Sequence, residues 1–567
     1  MKSRLRLLSA ILVLFVCCMA FPAAAQEPTH HIEPNLANTP KDTFGTPPSE
    51  WDNKGMDAFG TPPSEWYSSW ESNPALLNLQ ENYYFIASMF YKGSYTDFEN
   101  DMSNTLLGGY SSTSDTSEKA VGNSTGADIG FLMRFNDVSS FGGLIHYRYD
   151  SILGYGDFDM THTEAGAGMV VSGETARRSD AHTEGLTLLY DMDVSDVFSM
   201  GMGFTYLYTY DNINYDVKGS TSRMTGLPAT EDVRIDREYI FNTHTLSPKF
   251  GFSITPTDRF TLNLSGSVDF YLGTMEKISR MYDSYYINVG MLPAGTTYSE
   301  RLDDGDIEGY GYNAEADTEI YLTDELSLTY LASGSYSDKS WDIDGAVTGF
   351  FAPYTYAGIY HGPGSIAYEN KEKNWHATGG AGLNYALARV TLNSLITYTH
   401  WENKTSYYEN NNAQDLTGPY NAWFQERTRE ELDIISLKLG ATARMTDTIT
   451  FDVGVGYGFG WGDYRYDVSY NSPLTTSELT FGGSDGDTFH DLTAGGSLIY
   501  SPFDRLNISL SGSGRIPLDG KSYSLSGTSA GGAGTSINPL AWGGAGSRGY
   551  DSHGYNYGGN FSIGYEF

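Results

Sequence analysis

Cysteine is all but missing from this chain: Cys17 and Cys18 are the only two among 567 residues, and both fall within the first 25. No disulfide framework and no cysteine-ligated metal can therefore exist in the remainder. Long hydrophobic runs are missing as well. After the first two dozen residues no stretch approaches the ~18 consecutive apolar residues of a membrane-spanning helix, which excludes a helical membrane protein. Basic residues are scarce, 34 against 70 acidic. The formal net charge is −36 and the pI about 4.5, a balance that opposes affinity for nucleic acid.

The first 25 residues read as a secretory signal peptide. Lys2, Arg4 and Arg6 form a basic start, Leu7 to Phe21 an apolar centre, and Ala23, Ala24 and Ala25 a small-residue cleavage site. Cleavage there removes both cysteines and moves the formal charge from −36 to −39. A lipoprotein reading at Cys17 fits poorly, because bulky Val16 stands where a small residue is needed. Residues 26–75 form a separate proline-rich segment, expected on the periplasmic side. It carries a direct repeat, Phe44 to Trp51 and Phe59 to Trp66, both FGTPPSEW. Paired prolines favour an extended chain without internal hydrogen bonds. The repeat suits either a tandem motif for a periplasmic partner or a duplicated stretch of linker.

Residues 76–567 are of another kind. Tyrosine (44) and glycine (65) are abundant, and apolar residues alternate with small or polar ones over ten to sixteen positions. Phe198, Met200, Met202, Phe204, Tyr206, Tyr208 and Tyr210 share one parity, while Ser199, Gly201, Gly203, Thr205 and Thr209 share the other. Period-two alternation marks strands with two unlike faces, and runs of this length suit a bilayer better than a soluble sandwich. Tight turns are expected at Asn136, Ser195, Thr257, Thr323, Leu387, Thr446 and Phe503. Long polar loops are expected between them, near 92–122, 154–180, 211–238, 276–306, 343–370, 402–428, 469–486 and 517–550. Seven short and eight long connections join sixteen strands. The expected fold is all-β, a transmembrane antiparallel up-and-down barrel with short periplasmic turns and long extracellular loops.

The terminal run Phe561, Ile563, Tyr565 and Phe567, alternating with Ser562, Gly564 and Glu566, resembles the C-terminal signal of bacterial outer-membrane β-barrel proteins, porins among them. That resemblance implies an outer-membrane location, recognition of the last strand by the barrel-assembly machinery, and contact with outer-membrane lipid and lipopolysaccharide. Asn73, Pro74 and Ala75, just before the first strand, resemble the N-terminal Asn-Pro-Ala motif of the long-chain fatty-acid transporter (FadL/TodX) family, which implies a hatch for hydrophobic compounds. Sixteen strands match general diffusion porins, whereas that family has fourteen.

Strand parity places Arg148, Lys249, Lys438 and Arg444 on the lumenal side, with Arg134 and Arg515. Asp269 and the run Glu315, Asp317 and Glu319 point inward too, as do Asp128, Asp150, Asp191 and Asp452. The acidic run and the negative chain charge favour a cation-preferring passive channel for small polar solutes. The alternatives are a transporter of hydrophobic compounds and a structural or adhesive surface barrel. No cofactor is implied, and no catalytic constellation emerges. Gly527 to Gly531 fits a nucleophile-elbow pattern only inside a Gly/Ser-rich loop, and histidines such as His146 have no partner that spacing identifies. Acidic loops near Asp303 and Asp485 suit either calcium or plain solvation.

Overall fold

A computed structural model describes residues 73–77 and, from 83 to 566, all but 107–109, 137, 165–166, 224–229, 286–294, 351–363, 416–417, 472–478, 504, 519–520 and 529–543. The segment expected to be a signal peptide, the FGTPPSEW repeats and Phe567 lie outside the described residues. A 3₁₀ turn, Pro74–Leu76, precedes strands β1 (Tyr83–Leu106), β2 (Tyr110–Asn136), β3 (Ser139–Glu164), β4 (Ala167–Ser195), β5 (Phe198–Arg223), β6 (Thr230–Thr257), β7 (Phe260–Tyr285) and β8 (Gly295–Tyr321). These are followed by β9 (Leu326–Phe350), β10 (Gly364–Ala386), β11 (Val390–Asp415), β12 (Gly418–Thr446), β13 (Ile449–Asn471), β14 (Leu479–Phe503), β15 (Leu506–Pro517), β16 (Lys521–Thr528) and β17 (Gly544–Glu566).

Each strand pairs antiparallel with its neighbours, and β1 pairs with both β2 and β17, so the sheet closes on itself. β15 and β16 pair with successive parts of β17 and make one interrupted stave, giving a closed barrel of 16 strands. Closure leaves no edge whose backbone groups would face lipid unpaired. The tight turns fall at the seven expected places, and side-chain chemistry explains five of them. The side-chain oxygens of Asn136, Ser195, Thr257, Thr323 and Thr446 accept hydrogen bonds from the amides of Val138, Val197, Arg259, Glu325 and Thr448. A short polar side chain bonding two residues ahead imitates a backbone turn.

One face of the wall carries large apolar groups into the surroundings. Met202, Phe204, Phe250, Leu272, Ile396, Leu437, Val455 and Phe561 are all exposed, and they lie on the strand halves next to the tight turns. That is the lipid-facing belt of an outer-membrane barrel. Phe561 belongs to it, and Ile563 and Tyr565 share its parity on β17.

The long loops are shorter than the sequence suggests. All the main strands run for 23 to 29 residues, and the ladder continues through most of the segments expected as loops, for example from Lys92↔Ser124 to Leu106↔Tyr110. Above the bilayer both faces of the wall meet water, so the apolar alternation stops where the lipid stops while the backbone pairing goes on. The barrel wall begins at Tyr83, and Asn73–Leu77, placed by the sequence at the edge of a periplasmic segment, lie against the inner wall.

Candidate functional site

The strap formed by residues 73–77 crosses the inner wall near the tight turns. Asn73 initiates it: its side-chain oxygen accepts the Ala75 amide at 3.1 Å, and its Nδ2 donates to the Phe252 carbonyl of β6 at 3.3 Å. Pro74 suits the first position of the turn because no amide donor is needed there. Pro74 and Ala75 press on Gly201 of β5, and Asn73 presses on Gly251 of β6; a Cβ at either glycine would strike the strap backbone or the Asn73 side chain. Leu77, fully buried, then packs with Leu189 of β4, Leu144 of β3, Leu132 of β2 and Ile86 of β1. At ~1.5–3 kcal/mol per buried aliphatic side chain, this cluster holds the strap more firmly than its two hydrogen bonds do. Asp191 of β4, opposite Gly201 in the ladder, is 1% exposed, and its Oδ1 has no hydrogen-bond partner.

Above this cluster lies a polar band. His146 Nδ1 contacts Asp128 Oδ1 at 2.9 Å, its Nε2 contacts Thr187 Oγ1 at 2.9 Å, and Thr187 continues to Thr205 at 2.9 Å. Asp128 and Thr187 are the partners that spacing alone did not supply. Thr187 is completely buried, so the array is built to hold a wall together rather than to present a nucleophile.

Register places every charged candidate on the lumenal face. Arg148 bonds Asp150 on its own strand at 2.7 Å. Lys249 lies on β6, and Lys438 and Arg444 on β12. Asp269 accepts from Asn313 at 2.8 Å. The acidic column stands on β8 with ladder partners: Asp317 accepts from Asn263 at 2.8 Å and Glu319 from Ser327 at 2.7 Å, while Glu315 lies opposite Ser265 and Ser333. Two lysines that the sequence reading missed, Lys277 of β7 and Lys339 of β9, share this wall, so the lumen is not divided into a basic and an acidic side.

A second apolar cluster, also missed, faces the lumen far from the tight turns. Ile213 of β5, Phe241 of β6, Met275 of β7, Ile307 of β8, and Trp341 and Ile343 of β9 form a continuous shelf across five strands, each at most 9% exposed. Tyr239 packs on its edge, and Lys277 lies over the Tyr239 ring at 5.4 Å. Lys277 Nζ stands 3.8 Å from the buried carboxylate of Asp303. The shelf residues lie about sixteen residues beyond the tight turns and the strap about six. At ~3.3 Å per residue along a strand tilted by ~40°, the two are separated by roughly 25 Å along the barrel. The lumen thus carries an apolar surface toward the outside, a polar middle and a strapped inner end.

Protein-family models give no match, and the curated proteins give none either. Among solved structures, a Pseudomonas aeruginosa FadL homologue aligns with 13% identity and a TM-score of 0.37, covering 87% of this chain and 93% of that one. The P. putida toluene transporter TodX aligns with 11% identity and a TM-score of 0.35, over 90% of this chain and 97% of its own. The Escherichia coli outer-membrane protease OmpT aligns with 12% identity and a TM-score of 0.21, over 66% of this chain and 98% of its own. At these identities and scores the likeness does not reach the substrate, which has to be read from the lumen itself.

Proposed function

We propose that this outer-membrane channel takes up small hydrophobic molecules from the outside and releases them toward the periplasm. The observation that carries this reading is the lumenal shelf of Ile213, Phe241, Met275, Ile307, Trp341 and Ile343. A passive pore for polar solutes needs a wet, polar lining, and six large apolar side chains gathered on one sector of the inner wall contribute nothing to that task. They do suit the apolar lining of a small-molecule site, with Tyr239 and Lys277 supplying polar atoms at its edge. The strap fits the same reading, since it narrows the inner end where a free diffusion pathway would stay open.

The acidic column Glu315, Asp317 and Glu319 favours a second reading, a cation-preferring passive pore. One experiment separates the two. The refolded barrel is titrated with naphthalene while total tryptophan emission is followed, alongside Phe241→Asn and Trp341→Phe variants, and its conductance is recorded in planar bilayers. Saturable quenching that is lost in the Trp341→Phe variant and weakened at least fivefold in the Phe241→Asn variant supports the hydrophobic site. A large ohmic conductance insensitive to naphthalene, with no saturable quenching, supports the passive pore instead.

A further inference from the structure

Two asparagines face each other across the β10–β11 ladder, Asn374 and Asn403. Parity puts both on the lumenal side, since the exposed Trp375, Leu383 and Tyr385 of β10, and Ile396 and Tyr398 of β11, stand on the alternate positions. Asn403 is only 4% exposed, and no hydrogen-bond partner reaches its Oδ1. The Oδ1 of Asn374 is likewise buried and unpartnered. Buried polar side-chain atoms nearly always find a partner, so two orphans in direct opposition call for an explanation.

Both orphans are acceptors. Asn374 Nδ2 donates to Glu372 Oε1 at 2.7 Å, and because an ionised carboxylate only accepts, this bond fixes which end of the Asn374 carboxamide is the carbonyl. The hydroxyls one step nearer the tight turns are already engaged: Thr378 bonds His376 Nε2 at 3.0 Å and Thr399 Oγ1 at 2.9 Å. Lys339 of β9, opposite Glu372, is drawn away from β10 and lies over the Tyr271 ring of β7 at 4.4 Å. What the pair lacks is a donor. A buried acceptor left unpaired carries its whole desolvation penalty, which a donating ligand removes. Two neutral carbonyl oxygens suit an uncharged O–H better than an ammonium ion, whose desolvation costs far more.

The pair adjoins the apolar shelf. Asn374 lies opposite Ser337 of β9, and Trp341 of the shelf stands four residues further along β9 on the same face, opposite Ile307 of β8. At ~3.3 Å per residue the two places are about 13 Å apart along the strand, the reach of a stretched alkyl chain of medium length. A molecule with its apolar part on Trp341 and Ile307 would bring its inner end to Asn374 and Asn403. Glu372 lies between them on β10. A ligand ending in a carboxylate would therefore meet a like charge and two carbonyl oxygens, none of which can donate to it.

We infer that Asn374 and Asn403 form a recognition subsite for a hydroxyl group, and that the hydrophobic molecules this channel selects are alcohols. The apolar part lies on the shelf and the O–H is shared between the two carboxamide oxygens, a three-centre arrangement common in proteins. The chemistry follows from what the wall leaves unsatisfied: acceptors without donors, beside an apolar surface and a carboxylate. This inference rests on the hydrophobic uptake proposed above and adds the polar group that the cargo carries.

The test uses the full-length refolded barrel, with naphthalene quenching of tryptophan emission as the reporter and dodecanol, dodecane and dodecanoate as competitors. All measurements share one detergent, so that partitioning cancels between wild type and variants. Dodecanol is expected to displace naphthalene at a concentration at least fivefold lower than dodecane or dodecanoate. The combined substitution Asn374→Leu and Asn403→Leu should cut that preference to less than twofold, while Asn393→Leu, at the turn end of the same face of β11, should keep it. If the double variant does not reach the heat-modifiable folded form, Asn403→Ala is used, with at least a threefold loss of preference expected. Absence of saturable naphthalene quenching would overturn the shelf reading and this inference with it. With that quenching intact, tighter binding of dodecanoate or an unchanged preference in a folded variant would overturn the hydroxyl subsite alone. Equal displacement by dodecanol and dodecane would do the same and leave the pair to a buried water.

Discussion

Lys339 Nζ lies 4.4 Å from the centre of the Tyr271 ring although a whole strand, β8, stands between them. The residue in between is Gly309, opposite both, and a Cβ there would come within 3.0 Å of Lys339 Cα and Cγ. The absent side chain lets the lysine stem lie flat along the inner wall and bring its charge over the aromatic face. Such contacts are worth about 0.5–1 kcal/mol when exposed and about 2 when desolvated.

Gly309→Val is therefore expected to push Lys339 off Tyr271 and cost about 1–3 kcal/mol through overpacking. Lys339→Met, which keeps the stem and removes the charge, should cost no more than about 1 kcal/mol. Urea midpoints of the refolded barrel check the order; equal losses in the two variants would show that Gly309 is not the controlling position.

Gly201→Leu or Gly251→Leu should expel the strap while the barrel stays closed, because the new side chain occupies the place of Pro74, Ala75 or Asn73. The expected signs are proteolytic cleavage within residues 73–77 and higher single-channel conductance, with heat-modifiable migration unchanged. Cleavage no faster than in the wild type would show that the strap is held elsewhere.

Asp191→Asn should tighten the same strap. The buried Asp191 carboxyl has one unpartnered oxygen and lies opposite Gly201, and a buried carboxylate costs more to desolvate than a neutral amide of the same shape. Slower cleavage in the strap than in the wild type is the expected result, and faster cleavage would contradict it.

Glu315→Gln, Asp317→Asn and Glu319→Gln together remove the lumenal acidic column. Any residual ion flow should then lose cation preference, seen as a reversal potential moving toward zero across a salt gradient, with a smaller change at high salt, where the screening length falls well below its ~8 Å physiological value. An unchanged reversal potential would place the column outside the conduction path.

Removal of Phe567 should leave the exported chain unassembled and protease-sensitive in the periplasm. Phe561, Ile563 and Tyr565 lie on the outer face of β17, the strand that closes against β1, and Phe567 would continue their row. Normal heat-modifiable migration of the truncated chain would show that the last residue is dispensable for assembly.

The strand count and all seven tight turns were legible because lipid enforces strict alternation and because Asn136, Ser195, Thr257, Thr323 and Thr446 carry side chains that build turns. The upper strand halves were not, since Ser111 to Ser114 or Asn410 to Asn412 give no apolar period where water bathes both faces. The inward parity of Arg148, Lys249 and Glu315 could be read along each strand. The shelf was overlooked because parity was applied to charges alone: Phe241, Met275 and Trp341 stand on the same inward positions and could have been found the same way.

The strap precedes β1 in the chain and lies against β1 to β6 from within, while β1 itself is sealed to β17. β17 thus completes the wall around a segment that precedes β1 in the chain. Residues 73–77 have to be laid across the nascent inner surface before that seam forms, or else be threaded in later through the narrow end. Barrel closure and strap placement are in this way steps of one ordered assembly, and a chain that closes too early would be a folded barrel with its strap stranded outside.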